Sequence, residues 1–120
     1  MSVLDELAAE LQEFDRIRGW AKFHTPRNLA TALAVEAAEI TEIFQWDREN
    51  PEVLSPERQA LMASEIADVA TYLIRLATAT DVDIIAAVRD KMALNEQRFP
   101  PSSAPDPESG RMTRVSIGGQ

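Results

Sequence analysis

Apolar residues recur at three- and four-residue intervals over four stretches of this chain, each bounded by residues that start or stop helices. The first stretch runs from about Ser2 to Arg18, with Leu4, Leu7, Leu11 and Phe14 on one stripe and Ser2 as its cap. Gly19 and Pro26 interrupt the pattern, so residues 19–27 read as a connection and Asn28 as the cap of a second helix reaching about Trp46. The polar stretch DRENPEVLS separates it from a third helix, which Ser55 caps and Pro56 opens and which ends near Thr80. Asp81 or Asp83 caps a fourth, which continues through Arg98 until Pro100 and Pro101 stop it. The expectation is an all-α, four-helix bundle formed by residues 1–100. Residues 101–120, rich in Pro, Ser and Gly and poor in apolar side chains, read as a mobile tail.

Two of these helices carry acids where their apolar faces should be. At about 100° per residue, Leu29, Leu33, Ile40, Ile43 and Phe44 form one stripe of the second helix, and Glu36 falls in its middle. Glu39 lies on the flank, three residues on and adjacent in space. The third helix groups Leu61, Met62, Val69, Leu73 and Leu76, with Glu65 inside that stripe and Asp68 at its edge. Four carboxylates gathered between packed helices repel one another and lose hydration, so protons or cations must compensate them. Magnesium suits such a set, since it takes oxygen ligands, keeps some waters and is commonly completed by phosphate oxygens. A di-iron site would need a Glu-x-x-His arrangement, which is absent, and the one histidine, His24, lies outside both pairs. Solvated helix faces and intersubunit salt bridges are the alternative uses of Glu-x-x-Glu spacing, and Glu42, farther from the stripe, reads as a surface residue.

Charge narrows the function classes. The formal net charge of −8, with no run of Lys or Arg, disfavours nucleic-acid polymers and anionic membrane surfaces as partners. It would also repel a nucleoside triphosphate, so a dication is the natural intermediary between acidic protein and anionic ligand. With no cysteine, disulfides, thiolate metal sites and thiol catalysis are excluded. The start, MSVLDELAAELQEF, lacks the basic and continuously apolar segments of a signal peptide, and no stretch approaches the roughly 18 apolar residues of a membrane span. A cytoplasmic location is the expectation. Seven aromatic residues leave little material for a large core, so self-association would help the chain bury its apolar surface.

The fourth helix holds a further anomaly, because Lys91 and Asn95 fall on the stripe defined by Ile84, Val88 and Phe99. Lys91 could snorkel to solvent and Asn95 bond to backbone, or the two could meet the phosphate, sugar or base of a nucleotide. Trp20, Trp46 and Tyr72 are the two tryptophans and the one tyrosine of the chain, and two of them border the loops flanking the acidic helices. Core packing is their commoner use, with base stacking the use that a triphosphate site would give them.

The motifs Glu36-Ala-Ala-Glu39 and Glu65-Ile-Ala-Asp68 on consecutive helices resemble the signature of the MazG-like all-α nucleoside triphosphate pyrophosphohydrolases. The segments Phe23-His24-Thr25-Pro26-Arg27-Asn28-Leu29, Glu42-Ile43-Phe44-Gln45-Trp46 and Lys91-Met92-Ala93-Leu94-Asn95 look like the dCTP pyrophosphatase branch, and the resemblance covers roughly residues 3–100. It implies cleavage between the α- and β-phosphates, giving a nucleoside monophosphate and pyrophosphate, on an oligomeric bundle. Glu36, Glu39, Glu65 and Asp68 match the acids that hold magnesium and carry the catalysis. Lys91 and Asn95 match residues that approach the nucleotide, Trp20, Trp46 and Tyr72 match positions lining the base pocket, and His24 and Arg27 belong to the loop leading into the site. A homodimer or homotetramer acting on dCTP or a modified cytidine triphosphate is the implied form. A noncatalytic acidic helical adaptor and a related dUTPase or phosphoribosyl-ATP pyrophosphohydrolase are the competing readings.

Overall fold

A computed structural model describes residues 2–49, 53–101 and 105–111. Among these residues the fold is all-helical, with four helices: α1 (Val3–Ile17), α2 (Pro26–Glu42), α3 (Pro56–Ala79) and α4 (Ile84–Arg98), and a short 3₁₀ turn at Ala21–Phe23. No helix among the described residues is long and apolar enough to cross a membrane. The chain divides into two compact units, Met1–Val82 and Asp83–Gln120.

In the first unit, α3 is the central element, with α2 and α1 packed against it. Each start is fixed by a side-chain oxygen that takes a backbone N–H otherwise left without a partner. Ser2 and Asp5 form a reciprocal capping box on α1, while Ser55 caps α3 with Pro56 in the first turn. The cap of α2 is Thr25, whose hydroxyl accepts from the Asn28 N–H at 3.2 Å, and not Asn28 as the sequence reading expects. Thr25-Pro26 repeats the hydroxyl-proline start of Ser55-Pro56, and the Asn28 side chain instead donates to the Phe23 carbonyl oxygen at 2.9 Å. Helix α2 stops at Glu42, and Ile43 to Trp46 continue as turns rather than helix. The backbone between α1 and the 3₁₀ turn reverses at Gly19, whose φ of 68° is a left-handed conformation that a Cβ would strain.

Leu29 of α2 and Ile74 and Ala77 of α3 are the buried apolar core. Two of the apolar stripes read from sequence are rotated in the structure. Leu61 and Leu73 are exposed, at 49% and 42%, because α3 turns Ile74 and Ala77 inward where α1 as well as α2 covers it. On α1 the covered positions are Leu4, Ala8, Leu11 and Asp15, while Leu7 and Phe14 face outward. Exposed Phe14 meets the Trp20 ring edge-on with centroids 5.7 Å apart, and the Arg18 guanidinium sits 3.4 Å from the Phe14 centroid.

In the second unit, Asp83 caps α4 by accepting from the Ala86 N–H at 3.1 Å. Ile84, Leu94, Asn95, Arg98 and Phe99 are half-buried, whereas Val88 and Lys91 are exposed. Of the expected tail, residues 102–104 and 112–120 lie outside the described residues. Within 105–111, the Asp106 carboxylate accepts from the backbone N–H groups of Glu108 and Ser109, closing a local turn.

Candidate metal centre

Helices α2 and α3 run antiparallel as a hairpin, since Arg58 in the first turn of α3 donates to the carbonyl oxygen of Ile43 at the end of α2. This pairing brings the middles of the two helices together. One carboxylate oxygen from each of Glu36, Glu65 and Asp68 lies within 4.8 Å of the others, a spacing from which a single cation can be shared. Glu39 completes the group from the next turn of α2. Its carboxyl lies near enough to Glu36 and Glu65 to push both of them upward, like charges that a proton or a cation would relieve.

Glu36 and Glu65 are half-buried as residues, yet each turns one oxygen out of solvent reach. Among the described residues no donor meets Glu36 Oε2 or Glu65 Oε2. Burial first, and then the neighbouring carboxyl of Glu39 and the charge of Asp68, push both acids above the ordinary glutamate range. No Lys, Arg or His forms an ion pair with any of the four among the described residues. Orphaned inward oxygens, mutual repulsion and an all-oxygen donor set together fit a hard dication. The acidic triad could therefore bind a metal ion.

The other residues singled out from sequence take varied positions. Tyr72 is half-buried on α3, one turn beyond Asp68, with the Arg75 guanidinium 5.4 Å from its ring centroid. Trp46 is 87% exposed in the turn after α2, and Trp20 is partly exposed before the 3₁₀ turn. Arg27 is exposed in the first turn of α2. Lys91 and Asn95 stand one turn apart on α4 and share a face of that helix. His24 is partly buried, with Nδ1 3.2 Å from Asp15 Oδ2.

Sequence reasoning missed the partner of that histidine. Asp15 is buried, and Arg75 grips it with both prongs of its guanidinium, Nε to Oδ2 at 2.9 Å and Nη2 to Oδ1 at 2.7 Å. The signal was present: Asp15 lies four residues after Leu11, on the same stripe of α1, just as Glu36 lies on the stripe of α2. The pair borders a cavity of about 380 Å³ between α1, the 3₁₀ turn, α2 and α3.

With this geometry in place, the chain's likeness to known proteins is specific. It is 39% identical over 100 residues to dCTP pyrophosphatase 1 from Rattus norvegicus and to dCTP pyrophosphatase 1 from Homo sapiens, matches that cover 81% of this chain and 59% of each relative. The chain thus spans well under two thirds of the length of these relatives. A crystal structure of a pyrophosphatase from Archaeoglobus fulgidus superposes with a TM-score of 0.77 at 43% identity, covering 83% of this chain and 94% of that one. No protein-family model matches the chain.

Proposed function

The chain belongs to the MazG-like all-α nucleoside triphosphate pyrophosphohydrolases, in the dCTP pyrophosphatase branch, and on that premise we propose that it is a magnesium-dependent enzyme cleaving nucleoside triphosphates between the α- and β-phosphates. The products are a nucleoside monophosphate and pyrophosphate, and the proposed substrates are dCTP or modified cytidine triphosphates. The observation that carries the reading is the convergence of Glu36, Glu65 and Asp68 around two inward oxygens that lack donors.

In this reading Glu36, Glu39, Glu65 and Asp68 would hold magnesium, and one of these carboxylates would accept the proton of the attacking water. Bound there, magnesium would neutralise phosphate charge and make water a better nucleophile. Tyr72, Trp20 and Trp46 offer flat apolar faces to the base. Lys91 supplies a cation for phosphate oxygens, and Asn95 supplies an amide able both to donate and to accept. His24, just before α2, and Arg27, in its first turn, flank the approach. Residues 1–100 are the proposed catalytic region, with 101–120 outside it, and a homodimer or homotetramer is the proposed assembly. No nucleic-acid polymer and no membrane is a proposed partner, and the cytoplasm is the proposed compartment.

The test is incubation of the purified chain with a nucleotide panel, with and without magnesium, followed by product analysis. Magnesium-dependent release of pyrophosphate and monophosphate, greatest from dCTP or a cytosine analogue, is the expected result. Release of single phosphates, or no turnover under any condition, would overturn it and return the chain to the adaptor reading. Preference for dUTP or phosphoribosyl-ATP would move it to the related hydrolases.

A further inference from the structure

The cavity described above lies on the same side of the α2–α3 hairpin as the acids and two helical turns away on each helix. Leu29 precedes Glu36 by seven residues on α2, and Arg75 follows Asp68 by seven residues on α3. Seven residues advance a helix by on the order of 10 Å and return within about 20° of the same face. Two turns is the reach of a nucleotide from its phosphates to the far edge of its base. The cavity is lined by apolar Leu11, Leu29 and Ile74 and by polar Asp15, His24 and Arg75, a mixture typical of a small-molecule pocket.

Stability alone does not call for the polar half of that lining. A buried ion pair gives little net stabilisation over apolar side chains of similar size, because both charges lose hydration. The pair does fix two functional groups. Asp15 occupies Nε and Nη2 of Arg75, so Nη1 is left without a protein acceptor among the described residues. The same carboxylate lies 3.2 Å from Nδ1 of His24, which keeps the imidazole beside the guanidinium. One buried acid thus holds a guanidinium donor and an imidazole side by side, two groups suited to the polar edge of a nucleobase.

Resting on the proposed hydrolase reading, we propose that Arg75 and His24, held by the positioning residue Asp15, read the base edge of the nucleotide in this cavity. Apolar Leu29 and Ile74 then border the ring, and the polar trio adds to the choice of base proposed for Asn95. Loss of a paired polar contact discriminates far more strongly than loss of apolar area, since the site's own groups are then left unpaired.

The experiment compares kcat/KM for dCTP, dUTP, dTTP, dATP and dGTP in the wild-type protein, in Arg75→Lys and in the double variant D15L/R75M. Lysine keeps the charge opposite Asp15 but loses the planar fork. The double variant removes both charges, so no unpaired ion threatens the fold. Both are expected to compress the ratio between best and worst nucleotide by at least about tenfold, mainly through KM of the preferred one. Unchanged ratios in both folded variants would overturn the inference and leave the pair a structural cross-link.

Failure of the hydrolase reading is distinguishable, because it shows as absence of turnover in the wild type. In that event nitrogen-detected resonance signals of Arg75 Nε and the His24 ring are followed on adding dCMP, dGMP or deoxyribose 5-phosphate without divalent cation. Shifts that depend on the base, and are absent with the sugar phosphate, would uphold a base site. No shift with either monophosphate would remove it.

Discussion

Arg58 Nη2 donates to the carbonyl oxygen of Ile43 at 2.6 Å, tying the first turn of α3 to the end of α2. The same nitrogen reaches Asp47 Oδ2 at 2.7 Å, and the guanidinium lies 5.2 Å from the Phe44 ring centroid. One side chain therefore holds the turn that follows α2 and sets how the two acidic helices meet. Replacing it by Met should cost about 1–3 kcal/mol, the range for a charge-assisted hydrogen bond to a polar group then left unmet. Urea denaturation checks this, and a loss below about 0.5 kcal/mol, the range of a neutral surface change, would show that the hairpin does not depend on it.

The Asp15–Arg75 pair makes a contrasting prediction. Asp15→Ala leaves a guanidinium largely buried without its partner, and a loss of about 3–5 kcal/mol is expected. D15L/R75M, with both charges gone, should lie much closer to the wild type. If the single and double variants melt together, the pair is not a coupled unit.

For the carboxylates, Glu39→Gln and Asp68→Asn should abolish turnover at limiting magnesium while circular dichroism remains helical. Magnesium should also raise the melting temperature of the wild type, equivalent to about 2.7 kcal/mol at one hundred times its dissociation constant. Either variant that keeps both full activity and the magnesium-induced rise has lost no ligand.

Trp46 stands so far into solvent that Trp46→Ala should alter stability by no more than about 0.5 kcal/mol. It should nevertheless weaken all favoured nucleotides together, by about 1–3 kcal/mol, as loss of a stacking face does. Asn95→Ala should instead compress the ratio between cytosine and other bases. Steady-state kinetics on the four deoxynucleotides separates the two, and identical effects of both variants would defeat the assignment.

Exposed Leu7, Phe14, Ile17, Leu61, Ile66 and Leu73 leave more apolar surface on α1 and α3 than a lone chain of this size needs to show. A dimer or a dimer of dimers is expected in sedimentation equilibrium. A monomer at working concentration with full activity would exclude assembly as a requirement.

Residues that act within one helix were the most legible in sequence. Ser2, Ser55 with Pro56, and Asp83 mark helix starts because caps depend on only a few neighbouring residues, and Glu36 and Glu65 stand out as charges on apolar stripes. Thr25, and not the polar Asn28, caps α2, and it carries the same hydroxyl-proline signal as Ser55. Relations between helices were harder. A wheel shows which side of α3 is apolar but not that α1 and α2 divide it, so it points to Leu61 and Leu73 where the structure buries Ile74 and Ala77. The Asp15–Arg75 pair spans sixty positions, and no local spacing announces a partner that distant.

Glu36 lies eleven residues past the Thr25 cap of α2 and Glu65 ten past the Ser55 cap of α3. The positive end of a helix dipole acts within roughly its first turn, so neither helix lends these acids any favourable field. A bare triphosphate would meet undiluted negative charge there, whereas a divalent cation would meet a well of the opposite sign. In the proposed reaction the nucleotide therefore needs a cation between it and these acids, and excess free triphosphate, by sequestering that ion, should slow the enzyme instead of saturating it.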